Sequence, residues 1–293
     1  MVFSSAYGTI VSVLTAMTTA DTVLVSDELN HNCIINAMRM CRPGGKVVYP
    51  HLDVEALDRA LAEWAGKVRR ALIVTDGIFS MRGDHAPVDE IMEVARRHDE
   101  AYEENAVVLV DDSHGVGAFG ATGRGAEEYT HSTPVDVLVG TLGKAFGVNG
   151  GYVTSSQAVV DFLRENSPMY IYSNPITAGE AAAARKSVQI VDSEEGQVLL
   201  EKLRGLTRRF EEGLGRIGIE TIPGEHPVVP LMIRDTRRTR ILTDYLYQNG
   251  VLVTGLSYPV VPKGDEEIRA QINADHTESD IDDVLALLEA YDG

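Results

Sequence analysis

The chain has 293 residues, 44% hydrophobic and 24% charged, with 26 lysines and arginines against 44 aspartates and glutamates. A formal net charge of -18 repels a phosphate backbone or an anionic bilayer, so nucleic acid and membrane are excluded as main partners, while a small anion held by backbone amides is not. The length supplies one large domain or two moderate ones, and the composition is that of an ordinary globular protein rather than a disordered one.

Cys33 and Cys41 lie in apolar stretches without metal-type spacing and read as buried thiols of a reducing compartment; no metal is expected. No apolar run is long enough to span a bilayer and the amino terminus lacks the form of a signal peptide, so a cytoplasmic location is expected.

Met1 to Ile10 reads as the end of a strand running through a glycine turn into a helix that reaches about Thr19. Domains rarely start in this way, and an amino-terminal portion is expected to be absent or supplied by a partner. Strands follow at Val23 to Ser26, Lys46 to Tyr49, Ala71 to Thr75, Ala106 to Val110 and Val135 to Val139. Helices alternate with them at Asn32 to Cys41, along Val54, Leu57, Leu61 and Trp64, and along Val88, Ile91, Val94 and Ala95. Apolar strands separated by amphipathic helices imply a mainly parallel sheet covered on both faces, with ligands at the carboxyl ends of the strands.

A helix from Ser156 to Glu165, a loop from Tyr170 to Pro175 and an alanine-rich helix from Gly179 to Asp192 close the expected large domain, residues 1–192. A charged amphipathic helix at 193–217 opens a smaller α+β domain, residues 193–293. It is expected to carry strands at Val228 to Ile233 and Val251 to Thr254 and a final helix capped by Thr277 and Asp280.

The strand at Val135 to Val139 breaks at Gly140 and delivers Lys144 into an apolar, glycine-flanked setting. Burial there would depress the pKa of the amine and make it nucleophilic, fit to form a Schiff base with an aldehyde cofactor; a solvated loop lysine is the plainer alternative. Asp111 and His114, just beyond another strand, could hold a pyridine nitrogen protonated and meet the phenolic oxygen of the same ring, or could be a cap and a surface histidine. Ala6 and Tyr7 open a helix whose amides favour a phosphate, and Thr141 offers a hydroxyl nearby or serves as a turn residue. The His31 ring could stack on a flat cofactor or be structural, and Ser80, ending a further strand, could donate a hydrogen bond. Arg269 could clamp a carboxylate or make a surface ion pair.

Five ordered motifs carry a resemblance from about residue 3 to the carboxyl end: Ser-Asp-Glu-Leu-Asn-His (26–31), Asp-Gly-Ile-Phe-Ser-Met (76–81), Val-Asp-Asp-Ser-His-Gly (110–115), Gly-Thr-Leu-Gly-Lys-Ala-Phe-Gly (140–147) and Pro-Val-Val-Pro-Lys-Gly (259–264). The chain resembles the α-oxoamine synthases, which use pyridoxal 5'-phosphate (PLP) on the fold-type I transferase fold. Within that family it looks most similar to glycine C-acetyltransferase.

The resemblance implies that Lys144 forms the internal aldimine and moves the Cα proton, Asp111 pairs with the pyridine nitrogen, His114 with the phenolic oxygen, and His31 stacks on the ring. It further implies that Ser80 touches the ring substituents and that Thr141 and the amides near Ala6 and Tyr7 hold the phosphate. Ser173 would reach the phosphate of the neighbouring subunit of a homodimer with shared sites, and Arg269 would bind the amino-acid carboxylate. The implied reaction condenses glycine with a short acyl-CoA through a quinonoid carbanion.

The chain departs from the family at Arg82, where an acid is usual, and at Asn174 to Thr177, and the family's amino-terminal arm is expected to be missing. Two further readings are another fold-type I enzyme, such as an aminotransferase or aldolase, and a non-catalytic partner subunit. His31 counts against an aminotransferase, and the joint presence of Asp111, His114, Lys144 and Arg269 against the partner subunit.

Overall fold

A computed structural model describes residues 1–291. They form two compact units, one of residues 1–79 and 85–193, the other of residues 80–84 and the chain from Glu194. In the first unit the elements are, in order, β1 (Val2–Phe3), α1 (Ala6–Met17), β2 (Thr22–Asp27), α2 (Asn32–Met40), β3 (Gly45–Tyr49), α3 (Val54–Trp64), β4 (Arg70–Asp76) and α4 (Val88–His98). β5 (Asn105–Asp111), α5 (Ala126–Tyr129), β6 (Val137–Thr141), β7 (Gly151–Ser155), α6 (Gln157–Asn166), α7 (Pro168–Ile171) and α8 (Ala178–Val191) complete it.

The strands make one sheet in the order β1-β7-β6-β5-β4-β2-β3. Strands β2 to β6 run parallel, while β7 is antiparallel to both of its neighbours, β6 and β1. Side chains alternate across a strand, and the central strands β2, β4, β5 and β6 are apolar along most of their length because both faces are covered, whereas the edge strand β3 alternates, with Lys46 and Val48 exposed. Leu24, Leu72, Leu109 and Val137 pack with Ile10, Leu14 and Ile34 of α1 and α2 on one face. Val25, Ile73, Val108 and Val110 pack with Leu57, Leu61 and Ile91 of α3 and α4 on the other. The fold is thus the mainly parallel α/β arrangement expected from the alternation of strands and helices. β7, five residues with polar positions and a glycine-rich lead, carries no strand signal of its own, and α7 makes a short turn of helix that runs into the start of the expected loop.

The second unit holds α9 (Glu194–Arg216), β8 (Val228–Met232), α10 (Thr236–Gln248), β9 (Thr254–Leu256), β10 (Glu267–Gln271) and α11 (Glu278–Glu289). Its antiparallel sheet has the order β8-β10-β9. The strand expected at Val251 to Thr254 begins only at Thr254. The Val251 amide instead closes the end of α10 by donating to the Leu246 carbonyl at 2.9 Å, and Leu252 stands 86% exposed. Helix α10 itself went unread because its sequence is mostly polar, with only Thr239, Leu242 and Leu246 buried. The capping box expected at Thr277 and Asp280 is present at the start of α11. Among the described residues no helix is long and apolar enough to cross a membrane.

Candidate active site

The chemistry-bearing residues of the first unit gather at the carboxyl ends of its parallel strands. β4 and β5 finish in register, setting Asp76 beside Asp111, both buried. β2 finishes at Asp27 and turns directly into α2, with His31 as its N-cap. The polar residues of Ser-Asp-Glu-Leu-Asn-His lock that turn to its neighbours. The Asn30 amide donates to Ser26 Oγ at 2.9 Å and to the Val74 carbonyl at 2.8 Å, and its oxygen accepts the Asp76 amide at 2.7 Å. The His31 amide donates to Asp76 Oδ2 at 2.8 Å. Asp27 accepts from the amides of Leu29 and Leu52 and pairs with His51 Nδ1 at 3.0 Å.

Two buried carboxyls side by side cannot both ionise at ordinary cost. Burial, and then the Asp111 charge, push the Asp76 carboxyl well above the usual carboxylate range. Asp111 accepts from the Ser113 amide at Oδ1 (3.1 Å) and from Cys33 Sγ at Oδ2 (3.5 Å). The His31 residue is exposed as a whole, yet desolvation of its imidazole, reinforced by the Lys144 charge and opposed by Asp111, holds its pKa below the ordinary value. A neutral ring follows at neutral pH.

Asp112, next along the chain, is fully buried, and its Oδ2 accepts the Ala126 amide at 2.8 Å. Burial, with the Asp111 and Glu127 charges adding to it, pushes its carboxyl up to about 8. The turn that follows is tied to the Asp112 carbonyl by the amides of Gly115 and Val116, each at 3.0 Å, and it carries the half-buried His114.

Lys144 lies in the loop between β6 and β7. Leu142 and Gly150 close the loop at 2.9 Å, Val148 donates back to Leu142 at 2.8 Å, and Gly147 donates to the Lys144 carbonyl at 3.0 Å. Burial of this lysine was expected from its apolar neighbours, but the side chain is exposed: the glycine-rich loop lifts it out of the core. Its charge nevertheless reaches the rim of the sheet, since it lowers the pKa of both His31 and Asp76. Thr141 is buried beneath the loop, where Oγ1 accepts the Gly143 amide at 3.1 Å. β7 begins against the start of α1, so close that a Cβ on Gly151 would lie 2.3 Å from the Ala6 nitrogen. Ser5 caps α1 by accepting the Gly8 amide at 3.0 Å, and helix geometry leaves the first-turn amides of Ala6 and Tyr7 without intrahelical acceptors.

The structure therefore gathers His31, Asp111, His114, Thr141, Lys144, Ala6 and Tyr7 at one rim of the first unit. Ser173 stands on the exposed segment after α7, its hydroxyl donating to the Met169 carbonyl. Ser80 and Arg269 belong to the second unit. Ser80 lies past the end of β4 rather than on a strand, and Arg269 is a half-buried residue of β10. Arg82, standing where an acid was expected, pairs with Asp84 at 2.7 Å.

A family profile described as aminotransferase class I and II matches residues 1–288. The chain belongs to the aminotransferase class I and II family. It is 36% identical over 279 residues to an 8-amino-7-oxononanoate synthase of Thermosipho melanesiensis, covering 95% of this chain and 69% of the relative. It is 39% identical over 269 residues to the mitochondrial 2-amino-3-ketobutyrate coenzyme A ligase of Bos taurus, covering 91% and 62%. Serine palmitoyltransferase from S. paucimobilis, solved with a bound PLP-myriocin aldimine, superposes with a TM-score of 0.91 at 27% identity over 99% of this chain and 71% of that one. These relatives place the chain in the α-oxoamine synthase branch of the family, PLP-dependent acyltransferases of fold type I.

Three residues that the sequence assigns no role in the site are brought to this rim by the geometry: Asp76, Cys33 and Asn30. The sequence signal for Asp76 was that β4, like β5, ends in aspartate, and parallel register sets such ends side by side. Asn30 stands inside the motif of residues 26–31 and Cys33 is the buried thiol expected, but only the turn into α2 aims them at the site.

Proposed function

We propose that the chain is a PLP-dependent acyltransferase that condenses glycine with a short acyl-CoA to give a 2-amino-3-oxo acid or, after loss of carbon dioxide, an α-amino ketone. The observation that carries the reading is the meeting of a buried carboxylate, Asp111, a neutral imidazole, His31, and the charge of one lysine, Lys144, at the carboxyl ends of the strands. The donor set fits PLP: a carboxylate for the ring nitrogen, a primary amine for the aldehyde and a helix N-terminus for the phosphate. When bound, the cofactor supplies an aldehyde that links to amines and a ring that draws electrons from the adjacent carbon.

The residues of the chain then have separate tasks. Asp111 holds the proton of the ring nitrogen, His114 meets the phenolic oxygen and the neutral His31 ring stacks on the flat face. Thr141 and the amides of Ala6 and Tyr7 hold the phosphate, Ser80 touches the ring substituents, and Lys144 anchors the cofactor and takes the Cα proton of the amino acid. Arg269 clamps the substrate carboxylate. In its favour, the guanidinium is half-buried, its Nε has no hydrogen-bond partner among the described residues, and Nη2 donates only weakly, at 3.3 Å, to Gln271.

A second copy of the chain belongs to the proposal, with Ser173 reaching the partner's phosphate. Phe162, Met169, Tyr170, Ile171 and Tyr172 are all exposed, Tyr172 at 86%, and the alanine-rich α8 buries only Ala184. Such a surface suits burial against another subunit.

The test is a visible spectrum of the protein incubated with PLP, then glycine, then acetyl-CoA, with borohydride trapping of the cofactor on Lys144 read by mass spectrometry. A trapped adduct together with spectral changes on adding glycine and then acetyl-CoA supports the reading. An adduct that ignores every thioester overturns the acyltransferase assignment, and no adduct overturns the role of Lys144. Arg269→Gln is expected to raise the KM for glycine about 10- to 100-fold, the worth of a charged hydrogen-bonded clamp, and to leave PLP affinity unchanged.

A further inference from the structure

We infer that Cys33 is a positioning residue for the cofactor site, a neutral thiol that donates to Asp111 and braces the edge of His31. The inference rests on the reading of Asp111 and His31 as the groups that face PLP.

Cys33 is 2% exposed, on the first turn of α2. Its amide donates to His31 Nδ1 at 3.2 Å, so Nδ1 is an acceptor and the single proton of the neutral ring sits on Nε2. Its sulfur lies 2.9 Å from the same Nδ1 and 3.5 Å from Asp111 Oδ2. A thiol has one proton to give. With the Nδ1 lone pair already facing an amide, that proton goes to the carboxylate. Burial, and then the charges of Asp111 and Asp76, push the thiol far above its ordinary range, so Cys33 stays a donor and never becomes a second anion beside two carboxyls.

The consequence falls on Asp111. A carboxylate that receives the Ser113 amide of its own turn on one oxygen and the thiol of α2 on the other has its charge spread and its carboxyl plane fixed from two sides. A fixed plane is what a ring nitrogen needs from its counter-ion. The same sulfur backs the His31 ring, whose charged surroundings are Asp111, Asp76, which accepts its amide, and Lys144; Tyr7 lies close by through Asn32.

The experiment compares wild type, Cys33→Ser and Cys33→Ala. PLP dissociation constants and the pH titration of the bound-cofactor spectrum are measured on the loaded protein, and the His31 titration is followed by NMR on the cofactor-free protein. Cys33→Ala is expected to weaken PLP about five-fold, the loss of one modest hydrogen bond to a charged group, and to move the spectral midpoint by about half a pH unit. Cys33→Ser, which keeps a donor, should stay close to wild type. In the cofactor-free protein His31 should titrate nearer its ordinary pKa in Cys33→Ala, as water replaces the sulfur, and not in Cys33→Ser.

Parallel losses of melting temperature in both variants, with unmoved spectral and His31 titrations, would show that Cys33 only fills space and would overturn the inference. If wild type forms no Lys144-dependent adduct, the functional reading has failed; the His31 comparison, which needs no cofactor, then decides the placement of Cys33 by itself.

Discussion

Lys144→Ala is expected to abolish acyl transfer, lowering kcat by about three to four orders of magnitude, while leaving conformational stability within about 0.5 kcal/mol of wild type. The two halves of this result have separate causes. The lysine supplies the only proposed nucleophilic amine and the proposed base for the Cα proton, and no neighbouring side chain can replace a primary amine. Its side chain, however, is exposed, and the Gly147 bond to the Lys144 carbonyl, one of those that shape the loop, is a backbone bond that alanine keeps. Lys144→Arg separates charge from nucleophilicity: it should restore the electrostatic effect on His31 but not activity. In Lys144→Ala the lost positive charge should let the His31 and Asp76 pKa values rise, since that charge lowers both. Single-turnover kinetics, chemical denaturation and an NMR titration of His31 check the three parts. A large loss of stability would make Lys144 a structural residue.

Much of this arrangement was legible in the sequence, and the parts that were not share a physical reason. The central strands β2, β4, β5 and β6 announced themselves because a strand covered on both faces reads as a near-continuous apolar run. Asp111, His114 and Lys144 stood out as titratable residues placed just after such strands. Antiparallel β7 and strand β9 lack a local signature, since each is specified by what it pairs with and pairing is not local, while α10 is masked by a mostly polar sequence that buries only Thr239, Leu242 and Leu246. The expected burial of Lys144 failed for a related cause. Apolar neighbours in sequence became the loop's own supports, with Leu142 buried beneath and Lys144 left outside. Cys33 and Asp76 acquired meaning only through the turn after β2, which brings the start of α2 onto the ends of β4 and β5.

Gly125→Ala is expected to destabilise the protein by about 3–5 kcal/mol, combining steric overlap in a packed interior with strain at a backbone angle that side chains avoid. Gly125 has φ +88°, and a Cβ there would sit 1.7 Å from Asp112 Oδ2. Gly77 and Gly115 approach the same carboxyl from the other side, with added Cβ atoms 2.3 and 2.1 Å from Oδ1. The glycines of three separate turns therefore fit around one buried acid, which holds the segment carrying His114 against the strand ends.

That acid keeps its proton in the folded state up to about pH 8, against an ordinary value of 3.8 for the unfolded chain. Between these values the folded state binds more protons than the unfolded one, so stability falls as pH rises, by up to about 1.4 kcal/mol per unit, and levels off above the folded pKa. Asp112→Asn, which mimics the neutral acid, should flatten most of that slope; Asp76, also raised, contributes a remainder of the same sign. Denaturation midpoints from pH 5 to 9 read the slope directly. Gly125→Ala must also be coupled to Asp112→Ala, which removes the atoms that the new methyl group strikes. The double variant Asp112→Ala/Gly125→Ala should be less destabilised than the sum of the singles by at least about 1 kcal/mol. Strict additivity would mean that the cost at Gly125 is backbone strain alone and that the carboxyl does not organise the turn.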